Sequence, residues 1–192
     1  AVAGKTTEIP ILATAVTDFE VAGLVDSNDA PGTNVSGTSD MNPIEEQLSL
    51  LQELLPDAKK IGIMYCSSED NSIVQADLAK SICEEKGLEY EEYTVSDSSM
   101  IQSVAESMIG KVDAVYIPTD NLLAEAMATV TMVTNANGLP CIVGEEGMVE
   151  NGGLATYGID YYVLGQMAGE MAVQILQDGA DISSMPVQYI SA

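Results

Sequence analysis

The chain has 192 residues, of which 46% are hydrophobic and 19% are charged, so it is long enough and apolar enough to bury a core. Thirty acidic residues stand against six basic ones, which gives a formal net charge of −24, and histidine is absent. This balance excludes a nucleic-acid partner and docking on anionic lipid headgroups, since both need a basic surface. The missing histidine excludes a His-dependent catalytic triad and a His-ligated metal, and we expect neither a metal ion nor a cofactor.

The three cysteines, Cys66, Cys83 and Cys141, lie far apart and lack the spacing of metal ligands. They stand at apolar or helical patterns, so we interpret them as buried free thiols. No segment approaches the roughly 20 apolar residues of a membrane span, and we expect no signal segment within these 192 residues. We expect the chain to be a mature form or to be trimmed at both ends.

The first third of the chain predicts few regular elements. A strand-like run covers residues 9–16, and a short helix is expected around residues 20–25. Residues 26–40 are rich in Ser, Asn, Asp, Pro and Gly and predict a long loop, of the kind found where a chain crosses between lobes. A helix is predicted from about residue 43 to 55, because Pro43 suits a first turn and leucines recur at helical spacing.

From residue 60 onward, short β-rich runs alternate with longer amphipathic runs. Strands are predicted at 60–65, 88–95, 113–118, 140–144 and 154–159, with a last extended run at 185–190; helices are predicted at 72–86, 99–109, 121–137, 146–150 and 161–177. This alternation predicts an α/β fold with parallel sheets and right-handed crossovers. Residues 59–159 suffice for one complete sheet, so the residues before Asp40 and after Asp160 are expected in a second.

Ligands of open parallel sheets bind beyond the carboxyl ends of the strands, so polar residues that follow the strands are the candidates. The candidate ligand-binding residues are Thr17, Asp18, Ser39, Asp40, Ser68, Glu69, Asn71, Ser72, Thr119, Asp120, Asn121, Glu145, Asp160 and Tyr161. The helix start at Ser68–Ser72 offers backbone N–H groups to a carboxylate. Asp120 and Asp160 are candidates to hold an ammonium, and Tyr161 or Tyr162 could stack on a flat ligand. Such a set suits a zwitterionic amino acid.

A simpler interpretation stands beside this one. Asp, Ser and Asn at strand-to-helix turns most often cap helices, which alone would explain Ser72, Asn121 and Asp160. Catalysis finds no support, because the sequence has neither a Gly-x-Ser-x-Gly elbow nor a glycine-rich phosphate loop. A receiver-type phosphoacceptor site at Asp120 would require a lysine after a later strand. The predicted strand at 140–144 is followed by Glu145 and not by a lysine, which argues against such a site. We expect no catalytic residues.

Several segments resemble one known family. They are Ile9-Pro10-Ile11 through Ala15-Val16-Thr17-Asp18, Pro31-Gly32-Thr33-Asn34-Val35-Ser36-Gly37, Val115-Tyr116-Ile117-Pro118-Thr119-Asp120-Asn121 and Leu154-Ala155-Thr156-Tyr157-Gly158-Ile159-Asp160-Tyr161-Tyr162. The sequence is similar to ABC-transporter substrate-binding proteins of the tryptophan/tyrosine-binding type, over nearly its whole length. These are type I periplasmic-binding-protein folds, and many are bacterial lipoproteins.

The resemblance implies doubly wound lobes that close on ligand by a hinge, with the candidate residues at or beside an interlobe cleft. It implies a partial N-terminal lobe at 1–40, a C-terminal lobe at 41–157, and a return helix and strand at 158–192, with crossovers near 36–41, 157–160 and 186–190. The family has further βα units, a signal peptide and a lipobox cysteine ahead of the point where this chain starts. A partial sheet leaves an open edge, so we expect association between chains.

The function implied by the resemblance is extracytoplasmic capture of a small polar ligand for an ABC permease. The ligand is expected to be an aromatic or other hydrophobic amino acid. Two alternatives remain open at this point: sugar or nucleoside binding by the same fold, and a ligand-sensing domain of a regulator.

Overall fold

The computed structural model describes residues 2–190, which form two compact units. The first contains the residues up to Met41 and those from Ile159 onward, and the second is Asn42–Gly158. The chain therefore passes between the units at 41–42 and at 158–159, and residues 186–190 lie in the first unit. The assignment of these units to an N-terminal and a C-terminal lobe stays a prediction.

The elements follow in chain order. They are β1 (Ile11–Thr14), β2 (Val35–Ser39), α1 (Ile44–Leu54), β3 (Lys60–Cys66), α2 (Asp70–Lys86), β4 (Glu89–Val95), α3 (Ile101–Met108), β5 (Ala114–Ile117), α4 (Asn121–Glu125), α5 (Met127–Ala136), β6 (Cys141–Val143), α6 (Glu146–Glu150), α7 (Tyr161–Asp178) and β7 (Gln188–Tyr189). Short 3₁₀ turns cover Ala3–Lys5, Ser98–Met100 and Ile182–Ser184. No helix within residues 2–190 combines the length and apolar character of a membrane crossing.

The first unit is built on a three-stranded parallel sheet in the order β1-β2-β7, with α7 packed against β1 and β2. Its buried apolar cluster is small and centres on Phe19, Val25, Val35 and Val187. The long helix α7 buries only Leu164 and Met171 fully, because a sheet of this width covers one narrow face of it. The residues before Asp40 and after Asp160 thus share a sheet.

The central strand of that sheet lies where the sequence predicts a loop. Residues 35–39 of the expected 26–40 loop form β2, and all five of its residues are buried. Hydroxyl groups replace the alternating apolar side chains that usually mark a strand: Ser36 Oγ donates to Met185 O at 2.7 Å, and Thr38 Oγ1 lies 2.9 Å from Thr14 Oγ1. The loop prediction was wrong here because these hydroxyls satisfy one another inside the unit.

The short helix expected at residues 20–25 is also absent, and hydrogen-bonded turns stand in its place. Ala22 N donates a hydrogen bond to Asp18 O at 3.1 Å, and Leu24 N donates one to Phe19 O at 2.9 Å. Gly23 lies between them in the left-handed region with φ 64°. This conformation ends the segment after a single turn.

The second unit is built on a four-stranded parallel sheet in the order β4-β3-β5-β6. Its central strands are buried on both faces: Ile63 and Tyr116 belong to one apolar cluster, and Met64 and Val115 to the other. Strands buried on both faces are nearly continuous apolar runs in the sequence, so their positions could be predicted closely. All pairings are parallel, as the alternation predicted.

Two predictions for the second unit were wrong in detail. Residues 154–159 are no strand, since only Ala155 bridges Ile142, and the carbonyl of Tyr157 accepts from the Gln47 side chain. The helix expected at 121–137 is two helices, α4 and α5, joined at Ala126, whose φ of −107° lies outside the helical range. Neither Gly nor Pro marks this junction in the sequence.

All three cysteines are buried free thiols in the second unit, as the sequence predicted. Burial raises the pKa of Cys83 and of Cys141 to about 11. At neutral pH these two groups therefore remain protonated and chemically inert while the unit stays folded.

Candidate functional site

Four predicted residues of the first unit meet at the carboxyl ends of β1 and β2. Asp40 lies at the centre with 5% of its surface exposed; its Oδ1 accepts from Thr17 Oγ1 at 3.0 Å and its Oδ2 from the Tyr161 hydroxyl at 3.3 Å. Ser39 Oγ donates to Thr17 O at 2.7 Å and accepts from Met41 N at 3.0 Å, which fixes the backbone on both sides. We call Thr17, Ser39, Asp40 and Tyr161 the Asp40 cluster.

The carboxylate of Asp40 is buried, and no basic side chain within residues 2–190 forms an ion pair with it. Burial raises its pKa, and the hydrogen bonds from Thr17 and Tyr161 partly oppose that shift. The ion pairs of the described residues join Lys60, Lys80 and Lys86 to acidic groups of the second unit, and Asp40 takes part in none of them. Because each Asp40 oxygen keeps a further lone pair, the cluster is suited to receive a cationic donor such as an ammonium.

The other two predicted residues of the first unit support local turns. Asp18 Oδ1 accepts from the backbone N–H groups of Glu20 at 2.9 Å and Val21 at 3.1 Å, and from Asn28 Nδ2 at 3.1 Å. Asp160 Oδ1 caps α7 by accepting from Tyr162 N at 2.9 Å and Val163 N at 3.2 Å. These contacts correspond to the capping interpretation of the sequence.

Asp120 of the second unit is fully buried and joins two elements. Its Oδ2 accepts from Cys66 N at 2.6 Å and its Oδ1 from Leu123 N at 2.8 Å, so it links the end of β3 to the start of α4. Burial raises the pKa of Asp120, while these backbone N–H groups and the Ser72 hydroxyl oppose the shift. Each Asp120 oxygen thus bonds to a backbone N–H group, and a role of Asp120 in holding an ammonium stays a prediction.

The predicted anion site at the start of α2 carries negative charge of its own. The Glu69 carboxylate accepts from Asn121 Nδ2 at 2.7 Å and from the backbone N–H groups of Asn121 and Leu122 at 3.2 Å each, so it occupies the N-terminus of α4. Asp70 stands in the first turn of α2. Ser68 Oγ donates to Ser96 O at 3.4 Å. Two carboxylates at this point disfavour a bound anion there.

A set of side-chain amides surrounds Thr119, and we call Asn42, Gln75 and Thr119 the amide network. Gln75 Nε2 donates to Thr119 O at 3.0 Å, Asn42 Nδ2 donates to Gln75 Oε1 at 2.9 Å, and the same Asn42 Nδ2 donates to Thr119 Oγ1. Asn71 Nδ2 also donates to Thr119 O, at 3.4 Å. Sequence reasoning missed Asn42 and Gln75; the available signal was a polar side chain at position 75, beside the buried helical residues Ala76 and Ala79.

Gln47 forms a second buried link that the sequence did not single out as a site residue. Its Oε1 accepts from the Tyr116 hydroxyl at 2.7 Å, and its Nε2 donates to Tyr157 O at 3.0 Å and Gly144 O at 3.4 Å. Gly144 lies against the chain at Thr119, since a Cβ at position 144 would stand 2.3 Å from Thr119 N. Gly144 thus brings the predicted residue Glu145 close to the end of β5.

The described residues, 2–190, contain no group of three Cys, Asp or Glu side chains arranged to hold a metal ion. Each unit offers its own chemistry. The first unit has a buried carboxylate with hydroxyl donors, and the second unit has side-chain amides with a hydroxyl.

The sequence was compared with known families and curated proteins. A family model described as ABC transporter substrate binding protein matches residues 1–192. A tyrosine-binding protein from Clostridioides difficile strain R20291 is 46% identical over 182 residues, which is 95% of this chain and 52% of that protein. The chain thus spans about half the length of this curated relative.

Two solved structures of related proteins are similar to this chain over nearly its whole length. The crystal structure of an ABC domain from Streptococcus pneumonia in complex with L-Trp is 39% identical with a TM-score of 0.91, over 98% of this chain and 65% of the other. A ligand-free, open structure of a substrate-binding protein with adhesive properties from Clostridium difficile is 45% identical with a TM-score of 0.78, over 97% and 63%. The predicted α/β fold of the periplasmic-binding-protein type is confirmed.

Proposed function

Because the chain belongs to the family of ABC transporter substrate-binding proteins, we propose that it captures an aromatic amino acid for an ABC importer and performs no chemistry on it. The observation that carries this proposal is the likeness, over 98% of the chain, to a structure in complex with L-Trp. The relative named a tyrosine-binding protein supports the same ligand class.

The Asp40 cluster is the part of the first unit that suits such a ligand. An amino acid carries an ammonium, and Asp40 is a buried carboxylate whose charge has no cation beside it in the described structure. Thr17 and Tyr161 hold its two oxygens in place before a ligand arrives. Such preorganisation lowers the entropic cost of binding, so we assign the ammonium to Asp40.

The composition of the chain provides a direct assay. The chain contains no tryptophan, so the indole of added L-Trp is the only indole in the sample. We expect the fluorescence anisotropy of L-Trp, excited at the red edge of indole absorption, to rise on titration with the chain. L-Tyr and L-Phe should compete with it, whereas sugars and nucleosides should not.

A pair of variants tests the role of Asp40. Asp40→Asn keeps the shape of the side chain and removes its charge, so L-Trp affinity should fall about ten- to hundredfold, as expected for a hydrogen bond to a charged group. Asp181→Asn is the matched control, since Asp181 caps only the Ile182–Ser184 turn. Unchanged affinity in Asp40→Asn would remove Asp40 from the site; competition by sugars alone would contradict the amino-acid proposal.

We further propose an extracytoplasmic location, an ABC permease as the protein partner and a lipid anchor on the intact protein. The support for the first two is family membership, and that for the anchor is the resemblance to lipoproteins. Fractionation of cells that express the intact gene, with and without detergent, tests the location and the anchor. Recovery of the protein in the cytoplasmic fraction would contradict both.

We also propose that copies of this chain associate through the edge strand β1 of the first unit. Among residues 2–190, β1 is an edge strand that pairs with β2 alone. It carries no charged residue in a chain of net charge −24. Unprotected edge strands pair readily with other chains. Light scattering should therefore give a mass above that of one chain as concentration rises, and Leu12→Lys should return it to one chain. A single-chain mass at every concentration would refute the proposal.

A further inference from the structure

Two Asn-Gly pairs stand at the ends of helices in the second unit. Asn137-Gly138 follows α5, Asn151-Gly152 follows α6, and all four residues are exposed to solvent. In such a pair the backbone nitrogen of the glycine can attack the side-chain Cγ of the asparagine, because glycine has no Cβ to hinder the approach. Sequence and exposure therefore make both pairs candidates for spontaneous deamidation.

The chemistry of such a pair needs nothing but water. At the first pair, Gly138 N loses its proton and bonds to Asn137 Cγ, while the Cγ–Nδ2 bond breaks and the side-chain nitrogen leaves as ammonia. The product is a succinimide ring. Water then opens the ring at either of its carbonyls. One opening gives aspartate, and the other gives isoaspartate, in which the backbone passes through the former side-chain carbon.

The bonds that hold Asn137-Gly138 in place come from the last turn of α5. Asn137 Nδ2 donates to Val133 O at 2.8 Å. Gly138 N donates to Asn135 O at 3.2 Å. Both bonds must break before Gly138 N can reach Asn137 Cγ. The ends of helices open more readily than their middles, so the reaction requires the opening of one exposed turn and no more.

Asn151-Gly152 is held by a neighbouring helix as well as by its own. The corresponding bonds within α6 measure 2.8 Å from the Asn151 amide and 2.9 Å from Gly152 N. In addition, Thr131 Oγ1 of α5 donates to Asn151 O at 2.7 Å, and Thr131 is only 5% exposed. Asn135 Nδ2, also of α5, donates to Gly152 O at 3.1 Å. These two side chains hold the peptide that would have to rotate.

We infer that Asn137 is a site of spontaneous deamidation. Asn151 is protected from the same reaction by Thr131 and Asn135. The product at position 137 is a carboxylate, which cannot donate to Val133 O and stands at the negative end of the α5 dipole. Isoaspartate also lengthens the backbone between α5 and β6, so the second unit loses stability as the protein ages. The reaction needs no ligand and is therefore independent of the proposed function.

Peptide mapping by mass spectrometry measures both sites in one sample. In the native chain, kept for weeks at mildly alkaline pH, Asn137 should deamidate about tenfold faster than Asn151, as expected for a difference of two hydrogen bonds. The modified peptide should separate into an aspartate form and an isoaspartate form of equal mass. In denaturant the two sites should react at similar rates, because the fold no longer distinguishes them.

Variants of α5 test the protection of Asn151. Thr131→Val keeps the shape of the side chain and removes the hydroxyl, so the rate at Asn151 should rise several-fold while the rate at Asn137 stays near its original value. Asn135→Ala removes the second bond at an exposed position and repeats the test should the valine disturb the fold. Asn137→Gln is the matched control, because its longer side chain forms the corresponding ring far more slowly and should abolish the modification there.

The outcomes decide each part of the inference. If Asn137 stays unmodified in the native chain over a time in which the denatured chain reacts, the last turn of α5 opens too rarely and the site is overturned. If Asn151 reacts as fast as Asn137 in the native chain, or is unaffected by both Thr131→Val and Asn135→Ala, the protective role of α5 is overturned.

Discussion

At the scale of single residues, Asp40 and Asp120 are buried carboxylates with different hydrogen-bond partners. Asp120 accepts backbone N–H groups that belong to rigid elements, at 2.6 Å and 2.8 Å. Asp40 accepts two side-chain hydroxyls, at 3.0 Å and 3.3 Å. Backbone donors cannot rotate away, whereas hydroxyls can reorient when a ligand arrives. The partners of Asp40 can therefore adjust to a new group more easily than those of Asp120, which supports the proposal that Asp40 holds the ammonium.

The raised pKa of Asp40 predicts a pH dependence of stability. Burial is its main cause, and the folded state takes up a proton at higher pH than the unfolded chain does. The contribution of Asp40 to the free energy of unfolding therefore rises as pH falls through its folded pKa, and it is least favourable at neutral pH. Asp40→Asn should raise the Tm at neutral pH while weakening ligand binding, as measured by thermal melts across the acidic range.

Asp181→Asn provides a control of opposite sign. Hydrogen bonds from the hydroxyl and N–H of Ser183 lower the pKa of Asp181. Its stabilising contribution is therefore present at neutral pH and is lost as pH falls through the folded pKa. Asp181→Asn should lower the Tm slightly at neutral pH. A neutral-pH Tm that also falls in Asp40→Asn would show that the hydroxyl bonds outweigh the cost of burial.

Candidate site residues could be selected from the sequence only where polar residues follow predicted strands. Thr17 was selected because it follows β1, and Tyr161 because it follows the 154–159 run, which is no strand. The structure brings both to Asp40, and their role in a ligand site stays a proposal. Asn42 and Gln47 were not selected from the sequence. A buried amide near or within a helix has no sequence pattern that distinguishes it from an amide exposed to solvent. Its partners are backbone carbonyls distant in the chain, such as Tyr157 O, and only the fold brings them within reach.

At the scale of elements, the close approach of β1 and β2 depends on one glycine. A Cβ at Gly37 would stand 1.7 Å from Ala13 O, which is backbone of the neighbouring strand and cannot move aside alone. Gly37→Ala should therefore separate β1 from β2 and destabilise the first unit by several kcal/mol, about the upper range for single substitutions. Denaturant unfolding followed by circular dichroism would measure the loss.

A glycine in α7 gives the matched control. Gly169 lies within the helix, and a Cβ there would meet nothing within 4 Å. Alanine is preferred over glycine in helices by about 1 kcal/mol, so Gly169→Ala should stabilise the chain. Equal effects of the two substitutions would contradict the proposed contact between β1 and β2.

Strands and helices of the second unit could be predicted closely, and those of the first could not. β3 and β5 are buried on both faces, which leaves an apolar run that stands out in the sequence. The same burial in β2 is achieved with serine and threonine hydroxyls, which resemble a loop in composition. A strand held by side-chain hydrogen bonds is invisible to any method that looks for apolar periodicity.

At the scale of the whole molecule, the net charge of −24 opposes compaction. Like charges repel one another in the folded state, and salt screens that repulsion over about 10 Å at 0.1 M. The Tm should therefore rise by a few degrees between very low and physiological ionic strength. Near the sequence pI of about 4.1, where the net charge is small, the same salt should change the Tm much less. A Tm that falls with salt at neutral pH would contradict this account.

The placement of the sulfur atoms has a practical consequence. All three thiols are buried in the second unit, and the first unit contains no cysteine. A thiol reagent added to the native protein can therefore react only as fast as the second unit opens. The rate of alkylation of each cysteine, followed by mass spectrometry, therefore measures how often the second unit opens.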